Sequence, residues 1–116
     1  MTIAQIKEFL SARTLCGESH EDREVHTACG SDMMSDVLAF VKDQSVLVTG
    51  LCNPQVVRTA EMMDIVCICF VRGKTPDESV IEMADERGIV LLATNLRMFE
   101  ACGILYTSGL GGGAKH

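Results

Sequence analysis

The sequence has no tryptophan, one tyrosine and four phenylalanines. A core without large aromatics has to be assembled from Val, Ile, Leu, Met, Ala and Cys, and hydrophobic residues do make up 47% of the chain. Single-strand nucleic-acid readers need exposed aromatics on which bases stack, and these are scarce. Positive charge is short too: the net charge is −6 and no Lys/Arg cluster exceeds two neighbours. An acidic surface repels phosphate backbones, so nucleic acid is not expected as a partner. No stretch approaches the ~18 apolar residues of a membrane span. The first residues, MTIAQIKEFLSA, alternate at helical spacing and lack the continuous apolar centre of a signal peptide. A cytoplasmic protein without membrane contact is expected.

Among six cysteines there is no Cys-x-x-Cys and no paired metal knuckle. With no export signal, reduced thiols are expected, and no metal site. Cys67 and Cys69 lie inside the apolar run Ile65–Val71, where cysteine behaves as a small buried hydrophobe.

The 116 residues suit one domain. Thr2 and Gln5 form a capping-box pattern before a first helix with Ile3, Ile6, Phe9 and Leu10 on one face. Leu15 and Cys16 suit a short strand, Gly17 to Arg23 a polar loop, and Glu24 to Cys29 a second strand. Ser31 reads as the cap of a helix whose apolar face is Met33, Met34, Val37, Leu38 and Val41. Ser45 to Gly50 is a β-branched strand. Asn53-Pro54 then opens a helix, with the cap residue and the proline in their favoured positions.

Asp64–Val71 is apolar throughout after its first residue, the mark of a strand buried on both faces. Thr75-Pro76 repeats the cap-plus-proline signal, followed by the acidic Asp77 and Glu78. That helix runs to Arg87 and stops at Gly88. Ile89–Thr94 is another buried strand, and Asn95 caps a last helix with Leu96, Phe99, Ala101, Ile104 and Leu105 apolar. Repeated strand–cap–helix units favour right-handed parallel crossovers. A three-layer α/β/α sandwich is expected, with a mostly parallel sheet of four or five strands over residues 1–108. Residues 109–116, GLGGGAKH, are expected to form a flexible tail.

Gly73-Lys74-Thr75 has the ending of a nucleotide-hydrolase phosphate loop, G-x-x-x-x-G-K-S/T. Five residues before Gly73 stands Ile68, mid-strand, where that loop needs a glycine. Too little chain separates strand from helix to wrap a pyrophosphate with successive amides, and Pro76 has no N–H to offer. Gly109–Gly113 follows a helix instead of a strand, so it fails the context test for a dinucleotide fingerprint. A different site survives these exclusions. Three strands end at Thr49-Gly50, Arg72-Gly73 and Thr94-Asn95, and ligands of open α/β sheets bind outside the carboxyl ends of strands. Helix N-termini attract anions, and Arg72 and Lys74 add two cations. The candidate ligand-binding set is Thr49, Gly50, Asn53, Arg72, Gly73, Lys74, Thr75, Thr94 and Asn95.

DREVHTACGSDMMSDVLAFVKDQSVLVTG, ICFVRGKTPDESVIEMADERGIVLLAT and TNLRMFEACGILY together resemble the DRTGG domain, from about residue 1 to Tyr106. The resemblance implies a regulatory module, found beside CBS domains in regulated pyrophosphatases, in phosphotransacetylase-type proteins and as small stand-alone chains. It implies a fold like the N-terminal domain of HPr kinase/phosphorylase, and stand-alone members carry an HPr serine kinase label on that ground. The labelled activity needs a separate phosphate-loop domain. The chain departs from the family where the eponymous residues fall. It has Gly50-Leu51-Cys52-Asn53 for Gly-Asp-Arg-Thr and Val71-Arg72-Gly73 for Thr-Gly-Gly.

Of the histidines His20, His26 and His116, His26 reads as a half-exposed strand residue and His20 as part of a solvated loop. Cys52, just before a helix N-terminus, is the best candidate for a thiol with a lowered pKa, and an unreactive loop-edge cysteine is its plain alternative. Met33-Met34 and Met62-Met63 read as core or dimer contact. With no catalytic constellation, the leading expectation is a non-enzymatic regulatory module. It would be homodimeric, use no cofactor, and bind an anionic small molecule, a nucleotide or a protein partner. A serine kinase or phosphotransferase is one alternative, and a redox or metal sensor built on Cys16, Cys29 and Cys52 is another.

Overall fold

A computed structural model describes residues 1–40 and 42–112. Val41, His116 and the end of the Gly-rich tail, all read in the sequence, lie outside the described residues. Five strands form one sheet: β1 (Arg13–Cys16), β2 (Thr27–Gly30), β3 (Ser45–Thr49), β4 (Ile65–Phe70) and β5 (Val90–Ala93). The helices are α1 (Ile3–Phe9), α2 (Met34–Leu38), α3 (Pro54–Met62), α4 (Glu78–Glu86) and α5 (Met98–Thr107).

The strand order is β1-β5-β4-β3-β2. The four strands β2 to β5 are parallel and in sequence order, and β1 closes the far edge antiparallel to β5. Such serial winding keeps α2, α3 and α4 on one face. Val37, Val56, Val57, Ala60, Val80 and Ala84 from those helices pack there with Leu47, Ile68, Phe70 and Leu91. The other face carries α1 and α5, whose Ile3, Ile6, Leu10, Ala101 and Leu105 meet Val46, Val48, Cys67, Cys69, Val90 and Leu92. The result is the three-layer sandwich, and it explains the unbroken apolar runs: β3, β4 and β5 are buried at every position.

The capping box forms as read, with Gln5 N–H donating to Thr2 Oγ1 at 3.2 Å and Thr2 N–H to Gln5 Oε1 at 2.8 Å. Gly88, with φ of 70°, stops α4. Several element starts fall later than the cap signals suggest. Thr75 does not cap α4; Asp77 does, so Thr75 and a buried Pro76 belong to the connection. The cap of α5 is Arg97, not Asn95. Ser31 precedes the N-cap Met33 by two residues and accepts its N–H at 3.0 Å, a local side-chain turn that competes with helix capping. Strand β2 begins at Thr27, leaving Glu24 to His26 outside it. Phe99, read as part of the apolar face of the last helix, is 86% exposed. Where the sequence suggests a tail, Leu110 is buried and Gly111 O accepts the N–H of Ala28 on the β2 edge.

Candidate functional site

The carboxyl ends of β2 to β5 form one rim, and the turn after β4 divides it. Lys74 N–H donates to Val71 O at 3.2 Å, and the two residues between, Arg72 and Gly73, have φ of 60° and 69°. Positive φ at both central positions is the signature of a type I′ turn, which favours Asn or Gly. Glycine takes this conformation freely; an L-residue gives up about 1–2 kcal/mol. Arg72 is therefore held in a conformation its chemistry disfavours. Arg72 stands at the position where the resemblance to the DRTGG pattern puts the first glycine of Gly-Gly, and this chain holds it in the left-handed region.

Backbone amides of the turn are already used. Arg72 N–H donates to Leu96 O at 2.7 Å and Gly73 N–H to Thr94 O at 2.9 Å, with Lys74 N–H closing the turn. A phosphate loop needs such amides free and convergent, so Gly73-Lys74-Thr75 is no half of one. An anion here has to be held by side chains.

On the β3 side, three of the expected residues, Thr49, Gly50 and Arg72, come together around Asp32, which is not in the expected set. Its Oδ1 accepts from Gly50 N–H at 2.6 Å and Thr49 Oγ1 at 3.0 Å, and its Oδ2 lies 3.9 Å from Arg72 Nη2. Gly50 is buried, and a Cβ there would run into the Arg72 guanidinium, so the glycine makes room for it. Asp32 follows the end of β2. The expected set covers the ends of β3, β4 and β5; the end of the fourth parallel strand, β2, supplies Asp32.

Cys52 sits beside this cluster, its Sγ donating to Gly50 O at 3.7 Å. Burial pushes its thiol up and Asp32 adds to that, while Lys74 and Arg72 pull it down. Desolvation is the largest of these, so the thiol is raised, contrary to the lowering expected from the helix terminus. Cys16 and Cys29 do not join it. They lie on β1 and β2, opposite edges of the sheet, separated by four strand spacings or about 19 Å. Burial raises both thiols as well. Among the described residues, no group of three or more His, Cys, Asp or Glu is placed to hold a metal ion. His26 Nδ1 lies 3.1 Å from Asp43 Oδ1, away from the rim, and His20 ends a short 3-10 helix.

On the β5 side, Gly73 and Asn95 meet: a Cβ on Gly73 would stand 3.0 Å from Asn95 Oδ1. They line a polar pocket of about 130 Å³ with Ser11, Ala12, Arg13 and Ala93. Thr94 is placed differently. It is buried, donates to Leu10 O at 2.6 Å and accepts Leu96 N–H at 3.2 Å, so its hydroxyl is spent on holding α1 and the β5–α5 loop. Asn53, Lys74 and Thr75 are exposed, and Asn53 caps α3 without a side-chain hydrogen bond.

Away from the rim, a larger apolar groove of about 460 Å³ runs between α5 and β2, with Phe99, Cys102, Tyr106 and Leu110 on its walls. No helix among the described residues is long and apolar enough to cross a membrane.

Comparison with known proteins gives a family and a fold. The model of the DRTGG domain matches residues 5–108. A search of curated proteins found no significant match. Among solved structures, the chain is similar to the CBS and DRTGG domains of the regulatory region of Clostridium perfringens pyrophosphatase, complexed with its activator diadenosine tetraphosphate. The TM-score is 0.74 at 17% identity, over 92% of this chain and 46% of that one. This chain thus spans just under half of the relative, and the likeness carries the fold.

Proposed function

Since the chain belongs to the DRTGG domain family, we propose that it is a non-catalytic regulatory module that binds an anionic small molecule, of the nucleotide or phosphorylated-metabolite class, at the carboxyl ends of its strands. The observation that carries this reading is Arg72. A non-glycine residue at φ of 60° costs about 1–2 kcal/mol, while a half-exposed ion pair 3.9 Å long returns about 0–1 kcal/mol. Folding alone gains nothing from arginine at this position. Strain of this kind is characteristic of functional sites, and a half-exposed guanidinium at a strand end suits an oxyanion. The similar pyrophosphatase region is bound to a nucleotide activator, which makes diadenosine tetraphosphate the first probe to try.

The test is a thermal-shift screen of the chain with diadenosine tetraphosphate, ATP, AMP and pyrophosphate. A ligand of the native state raises Tm. A raised Tm that disappears in Arg72→Gly is the expected result; no shift with any of the four overturns the reading.

The same reading includes a cytoplasmic homodimer. Phe99 and Tyr106, 86% and 74% exposed on α5 beside the apolar groove, support self-association, since large exposed apolar patches mark interaction sites. Phe99→Glu is expected to convert a dimer to monomer by sedimentation. A wild-type monomer at every concentration contradicts that part.

A further inference from the structure

We infer that the pocket between Arg13 and Asn95 is a binding site for a single phosphoryl group. This rests on the anion-binding reading above and places one anionic group on the β5 side of the turn, away from Asp32. Three observations carry it.

The first is size. A volume of about 130 Å³ corresponds to roughly four waters at ~30 Å³ each, enough for one phosphoryl group and too small for a nucleoside.

The second is charge. Among the described residues Arg13 makes no ion pair and no side-chain hydrogen bond, in a chain whose net charge is −6. The other lining residues, Ser11, Ala12, Gly73, Ala93 and Asn95, carry no carboxylate. Nothing in the wall competes with an incoming anion as Asp32 does on the β3 side.

The third is construction. Arg13 stands opposite Ala93 in the antiparallel register, a small neighbour that leaves room. Ser11 holds φ of 50° in the turn that leads from α1 into β1. Gly73 presents no side chain, and a Cβ added there would press on Asn95. Arginine binds phosphoryl oxygens through two parallel N–H donors, and the serine hydroxyl and asparagine amide supply further donors. Two residues of this pocket, Gly73 and Asn95, belong to the strand-end set expected from sequence; Arg13 and Ser11 do not. They reach the rim only because β1 runs antiparallel, so that its beginning lies beside the end of β5.

The test is a calorimetric titration of the full chain with inorganic phosphate at low ionic strength, using wild type, Arg13→Gln, Asn95→Ala and Arg72→Asn. Asparagine tolerates the left-handed conformation, so the last variant removes the guanidinium and keeps the turn. Arg13→Gln is expected to weaken phosphate at least tenfold and Asn95→Ala severalfold, both by more than Arg72→Asn weakens it. If Arg13→Gln fails to fold, the exposed Asn95 carries the test. Phosphate binding that survives in Arg13→Gln, or in Asn95→Ala where that variant stands in, overturns the inference, as does wild type that takes up no phosphate. Binding lost in Arg72→Asn and kept in Arg13→Gln overturns it too, and leaves the Arg72 reading standing. An AMP arm separates the sources: AMP competing with phosphate and lost in Arg13→Gln assigns the group to a nucleotide, and phosphate bound without AMP assigns it to the free ion. Either supports the pocket.

Discussion

The two sides of the turn after β4 are built from similar parts and differ in what is already bound. Each side has an arginine, a glycine and at least one hydroxyl residue. On the β3 side the donors converge on Asp32, so an internal carboxylate occupies the place an anion would take. On the β5 side Arg13 has no acidic partner among the described residues, and a pocket remains beside it. A cation at a strand end is thus not by itself a ligand site. Its neighbours decide whether its charge is available, and Asp32 makes the β3 side the more restrained of the two.

The largest expected effect is on the β5 side, at a residue that belongs to the fold. Thr94→Val removes a buried hydroxyl that bridges Leu10 O and Leu96 N–H. It should cost about 1–3 kcal/mol, seen as a Tm several degrees lower, with phosphate affinity unchanged once the protein is folded. Affinity lost in proportion would mean that Thr94 touches ligand.

Asp32→Ala comes next. It strips the partner from the buried Gly50 N–H, at a cost of about 1 kcal/mol because water reaches the half-exposed site. It also frees the Thr49 and Gly50 donors, so pyrophosphate should bind the variant more tightly than wild type. Weaker binding would make Asp32 part of the ligand site instead of its competitor.

The smallest effect concerns Cys52. Its thiol is raised by burial and lowered by Lys74. A raised pKa means less thiolate at neutral pH, so alkylation should be slower than for a free cysteine peptide and should accelerate as pH rises. Lys74→Ala removes a lowering influence, raises the pKa further and should slow the reaction again. Faster alkylation in Lys74→Ala would place the lysine elsewhere.

Much of the fold was legible in the sequence because its signals are local. Unbroken apolar runs marked β3 to β5, and Asn53-Pro54 marked the start of α3. The displaced starts of α4 and α5 show the limit: Thr75 and Asn95 carry cap chemistry, yet the caps are Asp77 and Arg97, and the Gly73–Thr94 and Arg72–Leu96 backbone bonds on either side of Asn95 tie its loop to the turn after β4. The rim was less legible. Gly73 read as a strand end, but nothing local reports that Arg72 is left-handed, that Thr94 turns inward to Leu10, or that antiparallel β1 brings Arg13 to the same end of the sheet. Those depend on strand pairing between residues far apart in sequence.

On the proposed function Arg72 serves binding and not folding, and one variant measured two ways tests it. Arg72→Gly relieves about 1–2 kcal/mol of backbone strain, and gives up about 0.5–1 kcal/mol to glycine's unfolded-state entropy and about 0–1 kcal/mol from the ion pair. The expected result is a Tm equal to wild type or slightly above it, together with loss of the thermal shift produced by diadenosine tetraphosphate or another of the screened ligands. A Tm that falls by several degrees, or a ligand shift that survives intact, would contradict it.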